Sequence, residues 1–246
     1  MRILPDIYLV ASGDFGINLS HPKDCNVYLI DGGNGLTLID TGVGLENNII
    51  EENIKSHGFD LKNINQIILT HCHADHSGGA GYFKKKTGAE VLAHINEADM
   101  MSNADEDALG LKIAKKAGFY PSDYKLNPCK VDKKPEDGMK ITIGRYTLKV
   151  IWTPGHSKGL ISLFGIINNK RVIFTSDAVS YNGYIILQNI PGADIHDYAM
   201  GVKKLANLNV EVFLPGHMLF SLSRGQRHID AAVKAFDNLG IPKSLI

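Results

Sequence analysis

The chain contains 246 residues, 44% of them hydrophobic, and is long enough to bury the core of one large domain or two modest ones. Basic and acidic residues number 26 each, so the formal net charge is zero, and we expect neither nucleic acid nor a membrane as a partner. Three widely spaced cysteines favour reduced thiols in the cytoplasm over a disulfide framework. No apolar run approaches the roughly 20 residues of a membrane span.

The first third of the chain alternates predicted strands with predicted helices. Apolar runs at 6–12 and 26–31, the latter joined through an Asn-Gly turn to 36–40, predict strands that include a hairpin. Apolar residues near helical spacing predict a helix over 44–58, and the apolar run at 66–70 predicts another strand. The sequence HCHADH follows that strand directly, so its titratable side chains lie at a strand end.

The rest of the chain continues this alternation around one polar stretch. After a helix and a strand, residues 95–135 are polar and helix-rich, and we interpret them as an insertion. Strand patterns then resume at 140–144, 146–156, 160–177 and 211–217. No repeat, low-complexity tract or linker interrupts the chain, so we predict a single domain over 1–246 built from two sheet-plus-helix halves.

Titratable side chains gather at the ends of the predicted strands. They are Asp40, His71, His73, Asp75, His76, His156, Asp177 and His217. Side chains at rigid strand ends, turned by nearby glycines, can converge on one cleft. Imidazole with carboxylate suits zinc, iron or manganese, and this set is too large for one tetrahedral ion. The pattern predicts two metals, with His71 and His73 facing one ion. Asp75 and His76 would turn toward the other.

The remaining histidines that neighbour predicted elements carry no ligand prediction, because a lone histidine is usually a satisfied polar group. They are His57, His94, His196 and His228. A closed structural zinc site would favour cysteine. Cys72 instead points away from its histidine neighbours if these converge, so we expect it to pack in the interior.

These motifs, taken in order, resemble those of the metallo-β-lactamase superfamily. The match covers LIDTG with Asp40, HxHxDH at 71–76, TPGH with His156, TSD with Asp177 and LPGH with His217. The motifs span most of the chain. The resemblance implies an α/β (α+β) fold in the form of an αββα four-layer sandwich, with the metals at one edge of the two packed sheets.

The resemblance also implies a role for each motif residue. The first metal would be held by His71, His73 and His156. The second would be held by Asp75, His76 and His217. Asp177 would bridge the two ions, and Asp40 would accept a hydrogen bond from a ligand histidine and so determine its tautomer.

Among the branches of the superfamily, the chain looks most like the group that contains glyoxalase II, lactonases and related ester hydrolases. We therefore expect a dinuclear hydrolase of a small-molecule ester, lactone or thioester, in which a hydroxide between two divalent ions is the nucleophile. Zinc is the first expectation, with iron or manganese as alternatives. The expected catalytic residues are Asp75 as proton carrier, Asp40 behind its histidine, and Tyr181, one position beyond the lactonase tyrosine, as hydrogen-bond donor to a carbonyl.

Other functions stay open at this point. A persulfide dioxygenase of the same superfamily would hold a single iron on His71, His156 and Asp177, a set of two histidines and one carboxylate. A phosphodiesterase is a less favoured alternative. A non-catalytic binding module would lack at least one ligand, whereas the set here is complete. The oligomeric state also stays open, a homo-oligomer included.

The stretch 95–135 has two interpretations. Its apolar residues stand among charged ones and are Met100, Met101, Leu109, Leu111, Phe119 and Tyr120. They could form a lid over the metal edge that adapts to different acyl groups. Alternatively, they could belong to an amphipathic helix that only packs on the sandwich.

Overall fold

Two β-sheets packed face to face, with helices on both outer faces, make up the computed structural model, which describes residues 1–246. This arrangement confirms the predicted α/β (α+β) fold class and the αββα four-layer sandwich. None of the helices combines the length and the apolar composition that crossing a membrane requires.

The first sheet has six strands, and their order in space is their order along the chain. They are β1 (Arg2–Leu4), β2 (Ile7–Ala11), β3 (Val27–Asp31), β4 (Leu36–Ile39), β5 (Ile64–Ile68) and β6 (Glu90–Leu92). The first four strands pair antiparallel, whereas β4, β5 and β6 pair parallel. The predicted hairpin is the β3–β4 pair, in which Asp31 lies opposite Leu36.

The second sheet has five strands in the spatial order β11, β10, β9, β8, β7. They are β7 (Lys140–Ile143), β8 (Tyr146–Trp152), β9 (Ile161–Ile167), β10 (Lys170–Ser176) and β11 (Val212–Pro215). All neighbours are antiparallel except β10 and β11, which are parallel. The strands β8, β10 and β11 therefore all run in one direction and end at the same edge of the sheet.

Seven α-helices complete the fold. They are α1 (Asn47–Ser56), α2 (Ala74–Ser77), α3 (Ala80–Thr87), α4 (Ile95–Asn103), α5 (Leu111–Lys116), α6 (Ile195–Lys203) and α7 (Gln226–Asp237). The stretch 95–135 contains only α4 and the short α5, with turns and irregular backbone elsewhere. The helix α5 lies between Gly110 and Gly118, which both adopt the left-handed conformation, with φ of 70° and 77°. Such residues usually lie just outside a helix, which explains the shortness of α5.

Three buried apolar clusters hold the four layers together. In β3, Val27 and Leu29 point to the helices, whereas Tyr28 and Ile30 point to the other sheet, as the two-residue repeat of a strand requires. The cluster between the sheets combines such residues with others from the second sheet, including Phe174 of β10. The outer clusters pack the first sheet on α1 and α3, and the second sheet on α6 and α7.

Phe174 tests the contribution of the core between the sheets. Its ring is 1% exposed and lies 5.4 Å, centroid to centroid, from that of Tyr28 in a T-shaped contact across the sheet interface. We expect Phe174→Ala to lower the free energy of unfolding by about 3–5 kcal/mol, because it removes a large buried ring from a close-packed interior. Urea denaturation measures this loss.

The matched control is Ile166→Ala, in the neighbouring strand β9. Ile166 is 61% exposed. Its truncation should change the free energy of unfolding by less than about 0.5 kcal/mol. Equal losses in the two variants would contradict the assignment of Phe174 to the core between the sheets.

Candidate metal centre

The HCHADH sequence begins where the parallel strands β4 and β5 end side by side. Asp40 follows β4 with a left-handed φ of 61°, an uncommon conformation for a residue other than glycine. Its carboxylate accepts hydrogen bonds from the Thr70 amide at 2.8 Å and from the Thr70 hydroxyl at 2.7 Å. The Thr70 hydroxyl also lies 2.6 Å from that of Ser176 at the end of β10. These contacts join both sheets immediately before His71 and Asp177.

Cys72 and Glu97 hold the other side of the same loop. The Cys72 side chain lies in the apolar cluster behind the first sheet, as expected, so His71 and His73 face the opposite direction. The Cys72 amide donates to the buried Glu97 carboxylate at 2.7 Å, and the Gly159 amide donates to its second oxygen at 2.7 Å. Glu97 thereby connects the HCHADH loop to the loop that carries His156.

The first group of ligand-type side chains consists of His71, His73 and His156. One ring nitrogen of each lies within 4.8 Å of the others, and His73 Nδ1 is 2.9 Å from His156 Nε2. His71 Nε2 is buried without a hydrogen-bond partner. Burial, followed by the neighbouring His156, lowers the pKa of His73 to about 3. The imidazole is thus kept neutral, which is the form that binds metals.

The second group consists of Asp75, His76 and His217. Their donor atoms also lie within 4.8 Å of one another, with His217 Nε2 3.2 Å from Asp75 Oδ2 and 3.3 Å from His76 Nε2. Burial by itself would raise the pKa of Asp75, but the His76 and His217 imidazoles hold it well below its usual range. Asp75 therefore presents a negative charge to this group.

Asp177 lies between the two groups. Its Oδ1 is 3.3 Å from His76 Nε2, and its Oδ2 is 3.3 Å from His156 Nε2 and 3.6 Å from His217 Nε2. The Oδ1 atom is buried and has no hydrogen-bond donor. Although burial opposes ionisation, the surrounding imidazoles hold the pKa of Asp177 well below its usual range. One carboxylate thus reaches both groups.

In two of these histidines, the ring nitrogen that faces away from the centre makes a hydrogen bond, and this bond determines the tautomer. His76 Nδ1 donates to Asp40 Oδ2 at 2.9 Å, and His156 Nδ1 donates to the Ile186 carbonyl at 2.6 Å. In both rings Nε2 is left to face the centre, which is the arrangement that metal-binding imidazoles require. Together with the unpartnered atoms of His71 and Asp177, this donor set fits metal cations.

An apolar cleft opens onto both groups. It encloses about 530 Å³, its open mouth included. His73, Asp75, His156, Asp177 and His217 form its floor. Its apolar wall includes Leu109, Leu111 and Phe119 from the stretch 95–135, together with Ile186, Ile190 and Leu245.

Tyr120 is a site residue whose polar role the sequence did not reveal. It appeared there only as one apolar residue of the suspected lid. In the structure its hydroxyl donates to Asp75 Oδ1 at 2.9 Å, at the floor of the cleft. The two residues are 45 positions apart. No local spacing could therefore have indicated the contact.

Tyr181 lies outside the cleft, which corrects its expected role as a hydrogen-bond donor to the substrate. Arg227 donates to its hydroxyl at 3.1 Å, and its ring lies 4.4 Å, centroid to centroid, from His228 of α7. Its short helical turn, Tyr181–Gly183, contains Asn182 in the left-handed conformation and packs on α7. The four histidines without a ligand prediction also lie outside the cleft.

Residues 22–217 match the family model of the metallo-β-lactamase superfamily. The chain therefore belongs to the metallo-β-lactamase superfamily and is a hydrolase of that superfamily. Superfamily members bind metal ions, in agreement with the clustered imidazoles and carboxylates. The count and identity of the ions, and the role of each ligand-type residue, stay predictions.

Several known proteins are similar to this chain. The acyl-coenzyme A thioesterase MBLAC2 of Bos taurus is 29% identical over 212 residues, which cover 78% of this chain and 72% of that protein. The lactamase-like protein vrtG of Penicillium aethiopicum is 25% identical over 88% of this chain, which spans 58% of the length of vrtG. The crystal structure of BJP-1, a subclass B3 metallo-β-lactamase of Bradyrhizobium japonicum, superposes with a TM-score of 0.75 at 22% identity, covering 97% of this chain and 91% of that chain. This likeness shows the fold.

Gly216 tests how closely the ligand-type side chains are packed. A methyl group at this position would lie 2.3 Å from Asp177 Oδ1 and 2.9 Å from His76 Cε1, so one of these side chains would have to move. We expect Gly216→Ala to weaken metal binding by at least about tenfold, as displacement of ligand-supporting groups does. Zinc content after dialysis against a graded chelator measures the change.

Gly81→Ala is the control for Gly216→Ala. Gly81 lies in α3, away from the ligand-type side chains, and its added methyl group would meet no atom closer than the Pro128 carbonyl oxygen, at 3.2 Å. This variant should keep the wild-type zinc content. Wild-type zinc retention in Gly216→Ala as well would contradict the close packing around Asp177.

Proposed function

We propose that this protein hydrolyses an acyl thioester, ester or lactone with two divalent metal ions, zinc first among them. The observation that carries the proposal is the position of Asp177, whose two carboxylate oxygens face both groups of ligand-type side chains. A carboxylate placed in this way is suited to bridge two ions. The MBLAC2 relatives, named as acyl-coenzyme A thioesterases, support a thioester as the first substrate class.

The proposed ligands follow the two groups. The first ion would be held by His71, His73 and His156, and the second by Asp75, His76 and His217. Asp177 would contribute to both. Metal ions held there would lower the pKa of a water molecule and polarise the carbonyl group of the substrate.

Asp75 is the residue of this chain best placed to move the proton. Its Oδ1 accepts the Tyr120 hydroxyl, whereas its Oδ2 faces the His217 imidazole on the floor of the cleft. Water attacks the acyl carbon, and one of its protons passes to the Asp75 carboxylate. When the bond between carbon and sulfur breaks, that proton passes to the departing sulfur. The products are a carboxylic acid and a thiol, so atoms and charges balance.

The wall of the cleft is suited to the acyl chain. The Phe119 ring lies parallel to the Phe15 ring at 6.4 Å, and the Lys23 ammonium lies 4.4 Å from the Phe119 ring centre. Phe15 in turn meets the His217 imidazole edge to face. This aromatic pair lies beside the proposed second metal site, since Phe15 contacts His217 and Phe119 contacts Tyr120, the donor to Asp75.

The proposed lid is therefore narrower than the apolar residues of 95–135 suggested. Leu109, Leu111, Phe119 and Tyr120 line the cleft. Met101 does not, because it is fully buried in the cluster behind the first sheet. The side chain of Met101 packs on the sandwich, whereas these four residues face the cleft.

The number of bound ions tests the dinuclear proposal. Protein purified without added metal and then equilibrated with zinc should hold two ions per chain. His76→Ala should retain one, since it removes a donor of the second group only. Elemental analysis after dialysis measures both. His196→Ala, which alters an exposed histidine outside the cleft, should retain two.

A saturated wild-type protein with a single ion would overturn the dinuclear proposal. A single iron together with oxygen uptake on a persulfide substrate would instead support the dioxygenase alternative. A small panel of thioester, ester, lactone, phosphodiester and persulfide substrates distinguishes these outcomes.

Phe119 tests the wall of the cleft. We expect Phe119→Ala to lower kcat/KM more for an octanoyl thioester than for an acetyl thioester, because the lost wall contacts touch only the longer chain. The loss should be about fourfold for each methylene that is no longer buried, equivalent to about 0.8 kcal/mol. Ile113→Ala, an exposed position on α5, is the control and should change neither value. Equal losses for both substrates would show that the wall does not select chain length.

A further inference from the structure

Tyr120 is placed to act on the metal centre from outside the set of ligand-type residues. Its hydroxyl donates to Asp75 Oδ1 at 2.9 Å, and both residues are less than a tenth exposed. Asp75 belongs to the HCHADH sequence, whereas Tyr120 comes from the stretch 95–135. A hydrogen bond to an ionised carboxylate is short and strong when water is excluded, so this contact is suited to fix an orientation.

The hydrogen bond determines which way the Asp75 carboxylate faces. With Oδ1 held by Tyr120, Oδ2 lies 3.2 Å from His217 Nε2 and 3.7 Å from His76 Nε2. If the hydroxyl were absent, the carboxylate could rotate about its χ2 torsion, which has a broad energy minimum. The donor atom for the second ion would then be poorly placed.

Tyr120 is itself held in place by its surroundings. Its ring stacks on that of Tyr124 at 5.5 Å with 24° between the planes, and the Phe119 ring meets it edge to face at 5.1 Å. The Tyr124 hydroxyl points elsewhere, since it donates to the Val43 carbonyl at 2.8 Å on the loop between β4 and α1. The Tyr120 hydroxyl therefore has a defined position before any metal binds.

We propose that Tyr120 is a positioning residue for the second metal site. Its hydroxyl holds the Asp75 carboxylate toward His217, and the stretch 95–135 thereby contributes to metal affinity as well as to the wall of the cleft. The inference rests on the proposed function, because it takes Asp75 as a ligand of the second ion. Tyr120 acts through Asp75 and is given no contact with the reacting atoms.

Tyr124 provides a matched control. It lies in the same segment, it is buried to the same extent as Tyr120, and the two rings stack on each other. Its hydroxyl, however, donates to a backbone carbonyl and not to a ligand-type side chain. Tyr120→Phe and Tyr124→Phe each remove one buried hydroxyl and keep the ring, so a loss of local stability alone would affect both variants alike.

The experiment measures zinc affinity. Metal-free wild type, Tyr120→Phe and Tyr124→Phe are titrated with Zn²⁺ in competition with a chromophoric chelator, and the two dissociation constants are fitted separately. We expect Tyr120→Phe to weaken the second ion by about 10–100-fold, with the first changed by less than about twofold. Tyr124→Phe should bind both ions like the wild type. The rise in Tm on adding Zn²⁺ provides a second readout, and it should shrink only in Tyr120→Phe.

The outcomes separate this inference from the proposed function. A wild type that binds one zinc ion overturns the proposed function, and the inference with it. A wild type that binds two, together with unchanged affinities in Tyr120→Phe, overturns the inference alone. An equal weakening in Tyr124→Phe also overturns it, because the effect would then come from the packing of the segment and not from the hydrogen bond to Asp75.

Discussion

A short chain of buried hydrogen bonds, from Asp40 through Thr70 to Ser176, joins the two sheets at the edge where their parallel strand pairs end. The residues that follow Thr70 and Ser176 are His71 and Asp177. The turns that carry His71 and Asp177 therefore each start from a fixed position, and the packing of the two sheets determines the distance between these turns.

Burial of so many titratable groups has an electrostatic consequence. Desolvation opposes the charged forms of imidazoles and carboxylates alike, yet attraction to His76 and His217 holds the pKa values of Asp75 and Asp177 low, and nearby acidic groups raise the pKa of His76. The unpartnered atoms His71 Nε2 and Asp177 Oδ1 would be costly in a permanently empty interior. A cation among these donors satisfies both kinds of group, which explains how the fold tolerates so polar a cluster at the edge of an apolar core.

The stretch 95–135 contributes to this edge in two ways. The Glu97 carboxylate accepts hydrogen bonds from backbone amides of two ligand-bearing loops, and the Tyr120 hydroxyl donates to Asp75. The same stretch supplies Leu109, Leu111 and Phe119 to the cleft. Under the proposed function, this one segment would both support the metal centre and contact the substrate, so changes in its sequence would affect both.

From the sequence by itself, apolar periodicity indicated two sheet-plus-helix halves, with titratable motifs at the predicted strand ends. The resemblance of those motifs to the metallo-β-lactamase superfamily then implied the αββα sandwich and the region of the centre. The parallel ends of β4 and β5 then place Asp40 beside Thr70 with few alternatives. Only the tertiary structure decided that Tyr120 contacts Asp75, that Tyr181 packs on α7 and that Met101 is buried. The physical reason is that these contacts join residues distant in sequence through turns with left-handed residues and through sheet packing, neither of which leaves a local pattern.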